Sequence, residues 1–162
     1  MWTPELLQLS GLLGQRLQVK GWRLTTAESC TGGALAALIT EIPGSSHWFE
    51  CGFVTYSNQS KQQMLGVQGL TLEQQGAVSQ AVVEEMVRGA LQQSQAQIAV
   101  AISGVAGPGG GTAEKPVGTV WLAWAVNGAG VQARCFQFPG NRTEVRLAAL
   151  EQALQGLLGL TG

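Results

Sequence analysis

Two stretches of this chain are apolar at nearly every position: "QIAVAIS" at 97–103 and "TVWLAWAV" at 119–126. A strand that alternates apolar and polar residues leaves one face in water. A strand apolar on both faces must be covered on both. The first run reads as a short central strand, and the second as a strand buried on both sides. A sheet with such a centre needs helices above and below it, which fixes the layer architecture before any other element is placed.

The rest of the chain supplies those helices. Thr3-Pro4 starts one, with a capping hydroxyl followed by proline at the first helical position; it runs to about Lys20, where Gly21 ends it. Residues 22–27 read as a strand, and 30–42 as a helix closed by Pro43-Gly44. A short helical turn over 45–50, a strand over 51–57 and a short helix over 58–66 capped by Ser57 follow. From Ser79 to about Gln95 lies the clearest amphipathic helix, with Val82, Val83, Met86, Val87, Ala90 and Leu91 on one stripe. "NGAG" (127–130) turns 119–126 into 131–138 as an antiparallel hairpin. Asn141 with Glu144 forms a capping box for a last helix to about Leu158. The order αβαβααβββα predicts a three-layer α/β/α sandwich on a mixed sheet, with an antiparallel hairpin near the C-terminus. No repeat or linker interrupts it, so residues 1–162 read as one domain.

Charge narrows the function classes. Charged residues make up 12% of the chain, against about 25% ordinarily, and eighteen glutamines take much of the polar surface. The net charge of −1 offers no electrostatic capture of nucleic acid or anionic membrane. A surface so weakly charged resists self-association poorly, so a homodimer or higher homo-oligomer is expected. Cys30, Cys51 and Cys135 are odd in number and widely spaced, which fits neither a disulfide framework nor a zinc site, and the single histidine argues against a protein-built metal site. No signal peptide and no membrane-length apolar run is evident, so the expected location is the cytoplasm.

"TTAESCTGG" at 25–33 places a carboxylate, a hydroxyl and a thiol before paired glycines at the entry to a helix. Ser29 is either that helix's cap or a nucleophile at its N-terminus. His47, the one histidine, lies in an apolar-aromatic segment with no acid beside it, and the G-x-S-x-G and S-x-x-K signatures are absent. Lysine is the other choice of base. Of Lys20, Lys61 and Lys115, Lys61 is best placed, in the first turn of the helix that Ser57 caps. The positive end of a helix dipole, and any burial, lower an amine's pKa towards a value where it accepts a serine proton. Tyr56, the only tyrosine, ends the preceding strand and is placed to relay or orient that proton. The plain alternative is a solvated lysine in a surface helix. Cys30 is an alternative nucleophile, since helix N-termini lower thiol pKa values.

Gly32 and Gly33 are costly inside a helix, by about 1 kcal/mol each relative to alanine. They permit close approach of a ligand, with N–H groups around Thr31, Gly32 and Gly33 free to hold an oxyanion or phosphate. "AGPGGG" at 106–111, which includes Gly107, reads either as an anion-binding nest or as a mobile connection. It is no Walker loop, because no Lys-Ser/Thr follows. Arg142 puts a cation just after the Asn141 cap, a poor electrostatic position unless an anion sits between guanidinium and helix end. Arg146, one turn on, is placed to assist it or to pair with Glu144 or Glu151.

The motifs "AESCTGG" (27–33), "PGSSHWFECGFVTYSNQSK" (43–61), "AISGVAGPGGGTAEKPVGTVW" (101–121) and "FPGNR" (138–142) occur in order along most of the chain. Together they resemble the C-terminal domain family of the competence/damage-inducible protein CinA, whose stand-alone members are nicotinamide-nucleotide amidohydrolases of the PncC type. The length suits the single domain without the larger protein's N-terminal part. The resemblance implies deamidation of nicotinamide mononucleotide (NMN) to nicotinate mononucleotide and ammonia in pyridine-nucleotide recycling, without a cofactor or metal. It puts the family's serine nucleophile on Ser29, its lysine base on Lys61 and its active-site tyrosine on Tyr56. Thr31, Gly32 and Gly33 would flank the oxyanion region, and Arg142 would lie on the phosphate side. Cys51 stands where glycine is common in the family, and Asn141 where aspartate is frequent. Family members also keep the fold without the activity, so a silent nucleotide-binding or assembly domain is the competing expectation.

Overall fold

A computed structural model describes all 162 residues. Helices α1 (Pro4–Lys20), α2 (Ala34–Thr40), α3 (Asn58–Leu65), α4 (Gly69–Gln75), α5 (Gln80–Gln92) and α6 (Arg142–Thr161) surround strands β1 (Leu24–Glu28), β2 (Phe49–Val54), β3 (Ile98–Gly104), β4 (Thr119–Val126) and β5 (Val131–Gln137). The sheet order is β2-β1-β3-β4-β5. Strands β1, β2 and β3 are parallel, whereas β4 runs antiparallel to both β3 and β5. This is the expected α/β/α sandwich on a mixed sheet, with the hairpin appended.

The pleat sorts the two faces by size. Ile98, Val100 and Ile102 of β3, with Val120, Leu122 and Trp124 of β4, join the core beneath α1, α2 and α6. The alternate residues Ala99, Ala101, Ala123 and Ala125 face α5, where Val82, Val83, Met86 and Val87 fill the space. Small residues let α5 lie close to the sheet, and Gly89 lets α3 lie close to α5. A Cβ at Gly89 would stand 1.9 Å from the Leu65 carbonyl oxygen.

Three segments depart from the sequence reading, the first being β2, which spans Phe49–Val54 rather than 51–57 and leaves Tyr56 beyond its end. Helix α2 starts at Ala34 rather than residue 30, because residues 29–33 form a turn in which Gly32 (φ 59°) and Gly33 (φ 100°) take left-handed conformations. Helix α4 has no counterpart in the reading, since its N-cap, Gln68, makes no side-chain cap. Its cap comes from another helix: Glu85 of α5 accepts from Gln68 N at 2.8 Å and from the Thr71 hydroxyl at 2.7 Å.

The order of the parallel strands also locates the site. From β1 the chain passes to β2 on one side, then crosses back to β3 on the other. The C-terminal ends of β1 and β3 therefore flank a switch point, the usual place for a ligand crevice in an open α/β sheet.

Candidate active site

The parallel register does the first part of the assembly. Glu28 pairs with Val54, and Thr55 N donates to Glu28 O at 2.8 Å, so Ser29 emerges beside Thr55 and Tyr56. Ser57 then caps α3 through a capping box with Ser60, which fixes the first turn and turns Lys61 back towards the strand ends. Lys61 is 1% exposed. Its Nζ lies 2.9 Å from Ser29 Oγ, 2.8 Å from Thr55 O and 3.4 Å from Tyr56 O. No carboxylate is bridged to it; the one salt bridge in the structure joins Arg23 to Glu50. Burial pushes the Lys61 amine below its ordinary value of 10.5, against a smaller upward pull from Cys30. Desolvation, one of the two causes the sequence suggested, is the main cause.

This arrangement suits proton transfer. A neutral amine carries two hydrogens and one lone pair. The carbonyls of Thr55 and Tyr56 can take the hydrogens, which leaves the lone pair for the Ser29 hydroxyl. Ser29 is 8% exposed and is not a helix cap. The cap reading fails because the α2 N-terminus is satisfied by Glu28, whose carboxylate accepts from Leu35 N and Ala36 N at 3.0 Å each.

Ser29, Lys61 and Tyr56 line a cavity of about 310 Å³ with Gly107, Gly110 and Arg142. Residues 106–111 contribute no backbone N–H to any hydrogen bond within the chain. Arg142 spans the mouth: Nη1 donates to Gly107 O at 2.6 Å and Nη2 to the Tyr56 hydroxyl at 3.2 Å. The Tyr56 side chain is 62% exposed, and its phenol bonds neither Lys61 nor Ser29. Tyr56 approaches the amine through its carbonyl instead, so the expected phenolic relay gives way to a ring at the cavity mouth.

Other expectations are corrected by position. Thr31, Gly32 and Gly33 do not line the cavity. The Thr31 hydroxyl turns inward to Glu28 Oε1 at 2.5 Å, and Gly32 N donates to Ser29 O at 3.0 Å. The unpartnered N–H nearest the Ser29 hydroxyl in sequence is that of Cys30. Burial pushes the Cys30 thiol up to about 11, the reverse of an activated thiolate. His47 precedes β2, whereas Tyr56 follows it, so the histidine lies at the opposite end of the sheet from Ser29. Lys115 donates to Gln75 O at 2.6 Å, and Lys20 stacks over Trp22. Cys51 sits in β2 against Thr25, away from the cavity, and Asn141 caps α6 as expected.

Sequence reasoning overlooked Ser103, whose hydroxyl donates to Ala77 O at 2.8 Å and so holds the α4–α5 connection as a cavity wall. A serine ending an apolar strand carries no local sign of such a contact. It also gave Glu28 no role, although a carboxylate closing a β-prone run and followed by a helix start is itself a signal.

Fold and site together define an α/β protein with a serine hydroxyl and a buried lysine amine paired at the C-terminal ends of parallel strands. The chain matches the CinA C-terminal domain over residues 7–161, and it belongs to that family. It is 57% identical over 159 residues to the nicotinamide-nucleotide amidohydrolase PncC of Escherichia coli K12, covering 97% of this chain and 95% of that one. The protein of the same name from Pseudomonas putida is 55% identical over 152 residues, 94% of each chain. Among solved structures, the competence/damage-inducible protein CihA of Agrobacterium tumefaciens superposes with a TM-score of 0.98 at 43% identity, covering 100% of this chain and 99% of that one. No helix is long and apolar enough to cross a membrane.

Proposed function

We propose that this protein hydrolyses the carboxamide of NMN, giving nicotinate mononucleotide and ammonia as a step in pyridine-nucleotide recycling. The observation that carries this reading is the buried Lys61 amine, free of any carboxylate, 2.9 Å from Ser29 Oγ. It is supported by the activity for which relatives more than half identical over nearly the whole chain are named, nicotinamide-nucleotide amidohydrolysis.

Neutral Lys61 accepts the Ser29 proton as Oγ attacks the carboxamide carbon. The C=O becomes an oxyanion, for which the proposed donor is the Cys30 N–H, next to the nucleophile in sequence. Lys61, now protonated, gives its proton to the departing nitrogen, and the C–N bond breaks to release ammonia. Water then attacks the acyl-enzyme, with Lys61 again as base, and nicotinate mononucleotide leaves. Arg142 and the unpaired N–H groups of 106–111 supply the phosphate side, since a guanidinium and a glycine nest both suit an anion. The Tyr56 ring at the mouth offers an aromatic surface to the cationic pyridinium.

Ammonia release from NMN, measured beside nicotinamide and nicotinamide riboside, tests the proposal. The expected result is turnover with preference for the phosphorylated compound, lost in a folded Ser29→Ala variant. A protein that binds NMN by calorimetry and yields no ammonia on long incubation is a silent binding domain, and overturns the reading.

A further inference from the structure

The turn that carries Ser29 is held by two buried or half-buried charges that the proposed chemistry leaves unused. Glu28 ends β1, is 1% exposed and pairs with no cation. Its carboxylate accepts from the Thr31 hydroxyl, Leu35 N and Ala36 N. From the other side Arg146 reaches in from α6, 115 positions away, and its Nη2 donates to Thr31 O at 2.8 Å. Arg146 pairs with neither Glu144 nor Glu151, and its Nε is buried without a partner. A partly desolvated guanidinium whose Nε has no partner and whose Nη2 meets only a carbonyl carries an uncompensated desolvation cost.

Thr31 is the residue on which both charges converge: hydroxyl to Glu28, carbonyl to Arg146 and to Ala34 N. Thr31 sits in the same turn as Ser29, which Gly32 N closes by donating to Ser29 O at 3.0 Å, and beside Cys30, whose N–H donates to no other residue. The charges also act at a distance. At the Cys30 side chain Glu28 disfavours a negative charge and Arg146 favours one.

We infer that Glu28, Thr31 and Arg146 form a clamp of positioning residues that sets the angle of the Ser29 hydroxyl. Thr31 thereby acts from behind the nucleophile rather than on the substrate. This inference rests on the Ser29 reading above, and its test has a readout that does not depend on which amide is cleaved.

The variants are Arg146→Met, Arg146→Lys, Thr31→Val and Thr31→Ser in the full chain. Two quantities are measured: kcat and KM for NMN, and the rate at which a fluorophosphonate probe labels Ser29, followed by mass spectrometry. The clamp predicts that Arg146→Met and Thr31→Val each lower kcat and the labelling rate by about tenfold or more, with KM within about threefold, because misplaced reacting groups lose rate rather than affinity. Arg146→Lys and Thr31→Ser, which keep the charge and the hydroxyl, should recover most of the loss. Wild-type labelling rates in both disruptive variants overturn the clamp. So does a loss confined to KM, or one in which the conservative variants fall as far as the disruptive ones while their melting temperatures stay at the wild-type value. If Arg146→Met does not fold, the Thr31 pair decides the matter alone. A wild-type protein that labels at Ser29 but releases no ammonia refutes the substrate assignment; slowed labelling in the variants then still supports the clamp.

Discussion

The two walls of the cavity are built in opposite ways. The wall formed by Ser29 and Cys30 belongs to a tight strand-to-helix turn, residues 29–33, in which Ser29, Cys30 and Thr31 are buried. It is tied to β3 through Ser29 N to Ile102 O and to β1, α2 and α6 through Thr31 and its partners. The facing wall, residues 105–110, continues into a loop to 117; the segment is exposed from Pro108 to Glu114 and is fastened beyond itself at few points, among them Arg142 on Gly107 O and Lys115 on Gln75 O. A nucleophile needs a fixed angle, which many short bonds supply. A phosphate needs donors, and a run of unpaired N–H groups supplies those. On the proposed function, chemistry falls on the rigid wall and affinity on the open one.

That division can be broken by showing that a change on one wall has the other wall's effect. On the rigid side Lys61→Met should lower kcat by about 10²–10⁴-fold, the span of general acid–base catalysis, with NMN binding by calorimetry nearly unchanged. A variant that instead loses binding would place Lys61 on the substrate rather than on the serine. The wild-type kcat/KM should also rise with pH through an ionisation whose midpoint lies below 10.5, because burial lowers the amine's pKa and the neutral form is active.

On the open side Arg142→Gln should raise KM for NMN by about 10- to 100-fold, as fits the loss of a charge-assisted bond of about 1.5–3 kcal/mol. The KM for nicotinamide riboside, which has no phosphate, should move little. Equal losses for the two compounds would detach Arg142 from the phosphate. Lys115→Met removes only an exposed tie on the loop and should shift KM by about threefold or less, with kcat constant. A larger fall in kcat would show that the loop also shapes the rigid wall.

The smallest effect concerns stability. In the folded chain Lys61 has a lowered pKa, so between that value and 10.5 the unfolded chain binds more protons, and wild-type stability rises with pH. Lys61→Met lacks this dependence. Its melting temperature relative to wild type should therefore be highest at low pH and should decline as pH approaches 10.5. A difference independent of pH would mean that the amine stays charged in the folded protein.

Much of this was legible in local sequence. "TVWLAWAV" matches β4 residue for residue, and the Thr3, Ser57, Ser79 and Asn141 caps fall where hydroxyl or amide side chains precede helical patterns. Where the reading missed, the stabilising partner lay far along the chain. Helix α4 is capped by Glu85, and the start of α2 is set by Glu28 from the strand before it. Ser29, Lys61 and Tyr56 could be picked out as residue types, but Tyr56 was given the wrong atom, because a phenol's direction depends on Arg142, 86 positions away.

By itself the sequence determined the layers and the strand-helix order, since apolar pattern and capping residues act over one or two turns and need no distant partner. It also marked Ser29 and Lys61 as the pair to watch. Only the tertiary structure decided that they meet, which charge holds Thr31, and that the lysine is buried deeply enough to lower its pKa. Those outcomes depend on distances and solvent exclusion between segments that are remote in the chain, and no local pattern encodes them.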